Sequence, residues 1–71
     1  MDWHPILGKI FANDSLALVN ALEELCTVKR FEHIGNFVFR LETSDGQQYR
    51  IYTLPVDEDC TQIRVTDIHP V

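Results

Sequence analysis

The sequence predicts an α+β fold, with one or two N-terminal helices packed on one face of a three-stranded antiparallel β-meander. Three observations support this fold class. Apolar residues recur at helical spacing over residues 3–28, whereas they alternate with polar residues over residues 36–68. Between two of the alternating runs lies Ser44-Asp45-Gly46, a typical hairpin turn. With 71 residues, the chain is expected to form a single small domain over residues 1–71.

The first part of the chain contains two segments that predict helices. Residues 3–11 form a short apolar run in which Pro5 suits the first turn of a helix, although Gly8 lowers helix propensity. Asn13-Asp14-Ser15 is the stronger helix start, because all three residue types accept hydrogen bonds from free N–H groups. We expect the second helix to run from about Ser15 to Val28. Its core-facing stripe would be Leu18, Val19, Leu22, Leu25 and Cys26.

Residues 36–54 predict a β-hairpin whose register follows from its loop. Ser44-Asp45-Gly46 suits a type I turn followed by glycine at positive φ, where a Cβ would clash. This loop pairs the two strands so that one face is apolar: Phe37, Phe39, Leu41, Tyr49 and Ile51. The other face carries Val38, Arg40, Glu42, Gln48, Arg50 and Tyr52. A two-residue loop would mix the faces, so we reject it.

The segments that flank this hairpin are less regular. Residues 60–68 alternate again and predict a third strand, with Ile63 and Val65 towards the helices and Arg64 outwards. Residues 31–36 leave two alternatives open: they extend the first hairpin strand with a bulge at Gly35, or they form a separate loop. Pro55 ends the second hairpin strand because proline has no backbone donor.

The candidate binding residues are Arg40, Arg50, Tyr52 and Arg64. We expect the three arginines to form a cationic row across adjacent strands on the outer face of the meander, with Arg40 directly opposite Arg50. Glu42 is expected diagonally near Arg50, where it would offset the repulsion between the arginines. Two interpretations stay open: a solvated face covered by long side chains, or a site for an anion or partner with Tyr52 as aromatic neighbour.

The residue types and spacings indicate neither catalysis nor a bound metal or cofactor. The histidines and cysteines lack the local paired spacing of structural zinc sites: His4, His33, His69, Cys26 and Cys60. Phosphate-loop and dinucleotide signatures are absent. Cys26 is expected in the helix stripe, where burial would disfavour its thiolate. We therefore expect a protein without enzymatic activity.

Composition and charge argue against several further classes of protein. The formal net charge of -5 argues against general nucleic-acid binding, which depends on a basic surface. No apolar run approaches the roughly 18 residues of a membrane helix. The start of the chain lacks the basic and apolar regions of a signal peptide, and two cysteines make no disulfide framework. These features predict a cytoplasmic protein that does not bind membranes.

Part of the sheet region resembles a known family. The stretches Ile34–Leu41, Asp45-Gly46 and Tyr49–Tyr52 are similar to the sheet half of RelE/ParE-type toxins, in which helices precede a three-stranded run that carries arginines. The resemblance implies that Arg40, Arg50 and Arg64 contact RNA phosphates. The negative net charge is the reverse of that family's usual charge. These residues do not assign the chain to the family.

Two functional hypotheses follow. The first is a small acidic interaction module of inhibitor, immunity or regulatory type, which binds a protein partner or forms a homodimer through an edge strand or a sheet face. The alternative is an RNA-binding or ribonuclease-like protein resembling RelE/ParE toxins, in which sheet arginines bind phosphates and Tyr52 stacks on a base. The short length and the negative charge favour the first.

Overall fold

Residues 2–71 form a five-stranded antiparallel half-barrel with one short helix. A computed structural model describes residues 2–71. The strands lie in the order β1-β5-β4-β3-β2, and every neighbouring pair is antiparallel. In chain order the elements are β1 (Ile10–Ala12), α1 (Ser15–Glu23), β2 (Val28–Gly35), β3 (Val38–Thr43), β4 (Gln48–Pro55) and β5 (Gln62–Pro70).

The predicted fold of one or two helices on a three-stranded meander is therefore wrong. The three expected strands exist as β3, β4 and β5, and they form the centre of the sheet. The two additional strands, β1 and β2, lie at its edges. A three-stranded sheet would leave both β3 and β5 with a row of unpaired backbone groups, and the edge strands pair with these groups instead.

The predicted helix over residues 3–11 is wrong. Turns occupy residues 4–8, and Gly8 has a φ of 78°, which a helix cannot accommodate. The chain then runs along β5: Gly8 N donates to Val65 O at 2.8 Å, and Val65 N donates to Lys9 O at 3.0 Å. A short isolated helix gains few internal hydrogen bonds, so pairing with the free edge of β5 prevails.

The helix start is confirmed, whereas its predicted end is wrong. Asp14 is the N-cap, and its carboxylate accepts a hydrogen bond from Leu16 N at 2.8 Å. The helix ends at Glu23 rather than near Val28, which is the first residue of β2. Leu25 N and Cys26 N both donate to Leu22 O, so the last turn closes tightly before the chain becomes extended.

Residues 31–36 belong to a strand of their own rather than to an extension of β3 or to a loop. They lie in β2 and in the turn that follows, and Phe31 is opposite Leu41. Phe37 in this turn has a φ of 59°, a conformation that favours glycine. The backbone N and the hydroxyl of Thr53 both donate to Phe37 O, at 2.9 and 2.6 Å, and hold the turn against β4.

The β3–β4 hairpin has the predicted register. Phe39 is opposite Ile51 and Leu41 is opposite Tyr49. Gly46 has a φ of 87°, as the proposed turn requires. On β5, Ile63 and Val65 are buried while Arg64 is exposed, which confirms the predicted orientation of that strand.

The core fills the concave side of the half-barrel. It consists of two helix leucines, one residue of the N-terminal turns and five strand residues: Leu18, Leu22, Ile6, Phe39, Leu41, Ile51, Ile63 and Val65. The helix contacts both edge strands, β1 and β2. Its two buried leucines therefore close the open side of the sheet. Trp3 packs beside this core, with its ring edge-on to Tyr49 at 5.0 Å.

We expect Leu22→Ala to lower the free energy of unfolding by about 2–5 kcal/mol, because it leaves a cavity in a tightly packed core. Leu22 is 0% exposed. Leu16→Ala on the same helix is the matched control, since Leu16 is 62% exposed and its truncation changes stability by about 0.5 kcal/mol or less. Urea unfolding followed by Trp3 fluorescence measures both. Equal losses in the two variants would contradict the proposed role of α1.

The hairpin loop also contains a pH-sensitive contact. Asp45 Oδ1 accepts hydrogen bonds from the Thr43 hydroxyl and, at 3.3 Å, from Gln47 N. These hydrogen bonds, the one from Thr43 foremost, lower the pKa of the Asp45 carboxyl from its usual 3.8. The ionised carboxylate thus stabilises the folded chain above that pH. This stabilisation is lost as the pH falls through the lower pKa of the folded state.

We expect Asp45→Asn to flatten the loss of stability on acidification below about pH 4, because the substituted side chain no longer titrates. Thermal unfolding across an acid pH series measures the effect. Asp59→Asn removes the same charge from an exposed turn and is the control. Identical pH profiles for wild type and Asp45→Asn would contradict a stabilising carboxylate in this loop.

Candidate functional site on the outer face of the sheet

The outer, convex face of the half-barrel carries the candidate residues. Alternation along the central strands turns Phe39, Leu41 and Ile51 towards the core and their neighbours away from it. Arg40, Arg50 and Arg64 are exposed, and Tyr52 is half-buried. All four candidate residues thus lie on the expected face. Their positions relative to one another differ from the expected single row.

Arg40 and Arg50 form a directly opposed pair. They are opposite each other on β3 and β4. The same row continues to Glu32 on β2, opposite Arg40, and to His69 on β5, opposite Arg50. The Arg40 Nη2 donates to Gln48 Oε1 at 2.6 Å. Like charges opposite each other on a sheet are mildly destabilising, so the pair has a small cost in stability.

Two acidic residues neighbour this pair in the sheet, Glu32 opposite Arg40 and Glu42 diagonal to Arg50. As expected, Glu42 lies diagonally from Arg50, because it is opposite Gln48, but its carboxylate is 3.7 Å from Lys29 Nζ. Over residues 2–71, no carboxylate oxygen lies within 4.0 Å of a guanidinium nitrogen of Arg40 or Arg50. Within the described part of the chain, the two guanidinium groups are therefore not engaged in salt bridges.

Tyr52 is two residues from Arg50 along β4 and lies on the same face. It is opposite Val38 on β3 and Asp67 on β5. Its ring is edge-on to the His69 imidazole, with 5.9 Å between the ring centroids. His69 Nε2 is 3.7 Å from Asp67 Oδ1. Sequence reasoning missed both His69 and Asp67, because a bulge beside Tyr52 and Thr53 shifts the register of β5.

Arg64 lies apart from the arginine pair. Its neighbours on the adjacent strands are Leu54 on β4 and Ile10 on β1. Leu54 is four residues beyond Arg50, about 13 Å along the strand at 3.3 Å per residue. Leu54 is 59% exposed and Ile10 is 45% exposed. The end of the face around Arg64 is thus an aliphatic patch with one cation, rather than part of a cationic row.

The surroundings of Cys26 disfavour a reactive thiolate. Burial, followed by the nearby Asp45 and Glu23 carboxylates, raises the pKa of the Cys26 thiol. Its Sγ lies 3.4 Å from Leu22 O and donates to that carbonyl. Cys26 and Cys60 are both free and half-buried. Residues 2–71 contain neither a pocket nor a group of three metal-ligating side chains.

No protein-family model, curated protein or solved structure matches this chain. The resemblance to RelE/ParE-type toxins implied helices ahead of a three-stranded run. The described residues instead contain one helix, between the first and second of five strands, so that structural implication is wrong. Over residues 2–71, no helix is both long enough and apolar enough to cross a membrane.

We expect Arg50→Thr to raise the free energy of unfolding by a few tenths of a kcal/mol, because it removes the repulsion with Arg40. The gain should shrink in high salt, where surface charges are screened. Arg64→Thr makes the same change on the same face between two aliphatic neighbours and is the control. Urea unfolding in low and high salt measures both variants, and an equal salt dependence would contradict the repulsion.

Proposed function

We propose that this chain is a small non-catalytic interaction module, of inhibitor, immunity or regulatory type, that binds a protein partner through the outer face of its sheet. The observation that carries the proposal is the composition of that face. The Arg40–Arg50 pair, which forms no salt bridge over residues 2–71, lies beside the half-buried Tyr52, and exposed aliphatic side chains surround Arg64. Arginine and tyrosine are enriched at protein–protein interfaces and dominate their binding energy.

The two ends of the outer face favour a partner of defined chemistry. Arg40 and Arg50 suit a carboxylate, which a guanidinium binds through two parallel hydrogen bonds. Leu54 and Ile10 suit an apolar surface beside that carboxylate. The net charge of -5 opposes a uniformly acidic partner. Because screening limits such repulsion to about 8 Å at physiological salt, a local acidic patch on the partner is sufficient.

The proposal places the module in the cytoplasm. Two free, half-buried cysteines suit a reducing compartment. The raised pKa of the Cys26 thiol keeps it protonated at neutral pH, which supports a structural rather than a nucleophilic role.

We expect Arg50→Gln and Leu54→Ala each to weaken binding of the partner about tenfold or more, the loss typical of residues central to an interface. The immobilised protein captures partners from lysate of its own source, with and without nuclease treatment, and the affinity of each purified partner is then measured. Asn20→Glu is the control, because it shifts the net charge as much as Arg50→Gln but lies on the exposed side of α1.

Two outcomes would overturn this proposal. A partner that binds Arg50→Gln, Leu54→Ala and wild type equally well does not use the outer face. If the bound species is instead RNA, released by salt and weakened by Arg50→Gln, the arginines contact phosphates and the RNA-directed alternative is correct.

A further inference from the structure

The strand β2 presents a free edge that is separate from the outer face. It is the last strand of the sheet, and among residues 2–71 it pairs with β3 alone. Its pairing is regular from Arg30 to His33, and register shifts flank this stretch at Lys29 and Ile34. The regular stretch is thus a short template of backbone groups, bounded on both sides by bulges.

The hydrogen-bond alternation shows which residues face this edge. Thr43 N donates to Gln47 O and Thr53 N donates to Phe37 O, so the odd-numbered residues of β3 bond to β4. The even-numbered Arg40 and Glu42 then bond to β2, where Glu32 and Arg30 are opposite them. Phe31 and His33 alternate with these residues. Their N–H and C=O groups consequently point away from the sheet.

We propose that a second copy of this chain pairs with β2 as an antiparallel strand, with the two-fold axis at Phe31. A two-fold axis through an antiparallel pair keeps the inner and outer faces of the two sheets continuous. In this register Arg30 lies opposite Glu32 of the second copy, and Glu32 lies opposite its Arg30. Two outer-face charge pairs of opposite sign therefore form at once.

The neighbouring registers are unfavourable. A two-fold axis at Arg30 would place Arg30 opposite Arg30 of the second copy. A two-fold axis at Glu32 would likewise place the two Glu32 carboxylates opposite each other. Like charges directly opposite are destabilising, whereas opposite charges stabilise the pair. The register with the axis at Phe31 also extends a row of alternating positive and negative side chains across the interface. Within each copy, Arg30 already lies opposite Glu42, and Glu32 lies opposite Arg40.

The inner side of the edge is compatible with the same register. Phe31 is half-buried and stacks on Phe39, with 5.3 Å between the ring centroids. It would meet Phe31 of the second copy, and aromatic cross-strand pairs are favourable. A lysine on an edge strand commonly prevents such pairing. Here the Lys29 ammonium lies 3.7 Å from the Glu42 carboxylate of its own chain, which draws it towards the outer face.

A charge-exchange experiment tests the register. Arg30→Glu and Glu32→Arg each place like charges opposite each other at the two-fold interface, so each variant alone should be monomeric. Mixed in equal amounts, they should dimerise, because every cross-strand charge pair then has opposite signs. Sedimentation velocity over a concentration series at low salt gives the masses, and circular dichroism verifies that each variant is folded.

Matched controls separate this register from a simple effect of net charge. Lys9→Glu and Glu58→Arg shift the net charge in the same way but lie outside β2, so each alone should dimerise as wild type does. Amide hydrogen exchange at Phe31 and His33 should slow as wild-type protein becomes dimeric. A wild type that stays monomeric, or a mixture of the two β2 variants that does not dimerise, would overturn the proposal. Neither result would bear on the proposal that a partner binds the outer face.

Discussion

Burial of Leu18 and Leu22 inside the concave side of the sheet is the interaction on which the rest of the fold depends. Over residues 2–71, this helix and the N-terminal turns that carry Ile6 are the segments that pack on the concave side of the sheet. The strands curve around the two leucines, and the helix connects the strands at opposite edges of the sheet. A domain this short buries a limited apolar area, so losing either contact would remove a large part of its stability.

This one-sided core explains the character of the outer face. The apolar side chains that alternate inwards are used by the concave side, and their neighbours must tolerate solvent. Even so, the outer face is not a neutral polar surface. It keeps two opposed arginines and exposed aliphatic side chains, both of which are unfavourable for an isolated protein. Binding to a partner would compensate for both.

The outer face and the β2 edge are distinct surfaces of one curved sheet. The outer face presents side chains, whereas the edge presents backbone groups whose register depends on side-chain charge. Glu32 lies at the boundary, since it is opposite Arg40 within the sheet and is also exposed at the edge. Pairing of two copies at β2 would bring two arginine pairs onto one continuous surface. Such a surface would engage a partner with two acidic patches more tightly than one copy could.

Local chemistry in the sequence was sufficient for the β3–β4 hairpin and for the helix start. Gly46 supplies the positive φ of the turn, which sets the hairpin register and places Arg40 opposite Arg50. Asp14 caps the helix through its own side chain. The face of β5 also followed from alternation alone, because Ile63 and Val65 have only one apolar side to occupy. Each of these features depends on residues close together in the chain.

Only the tertiary structure decided the edges of the sheet and the position of Arg64. Residues 3–11 have an apolar spacing that suits a helix, but pairing with β5, more than 50 residues away, makes part of them a strand. The turn after β2 places Phe37 at a positive φ without a glycine to signal it. The bulge opposite Tyr52 and Thr53 shifts β5 by one residue, so that Asp67 and His69 lie opposite Tyr52 and Arg50 on the outer face. Long-range strand pairing and bulges depend on contacts between distant segments. The periodicity within one segment therefore does not predict them.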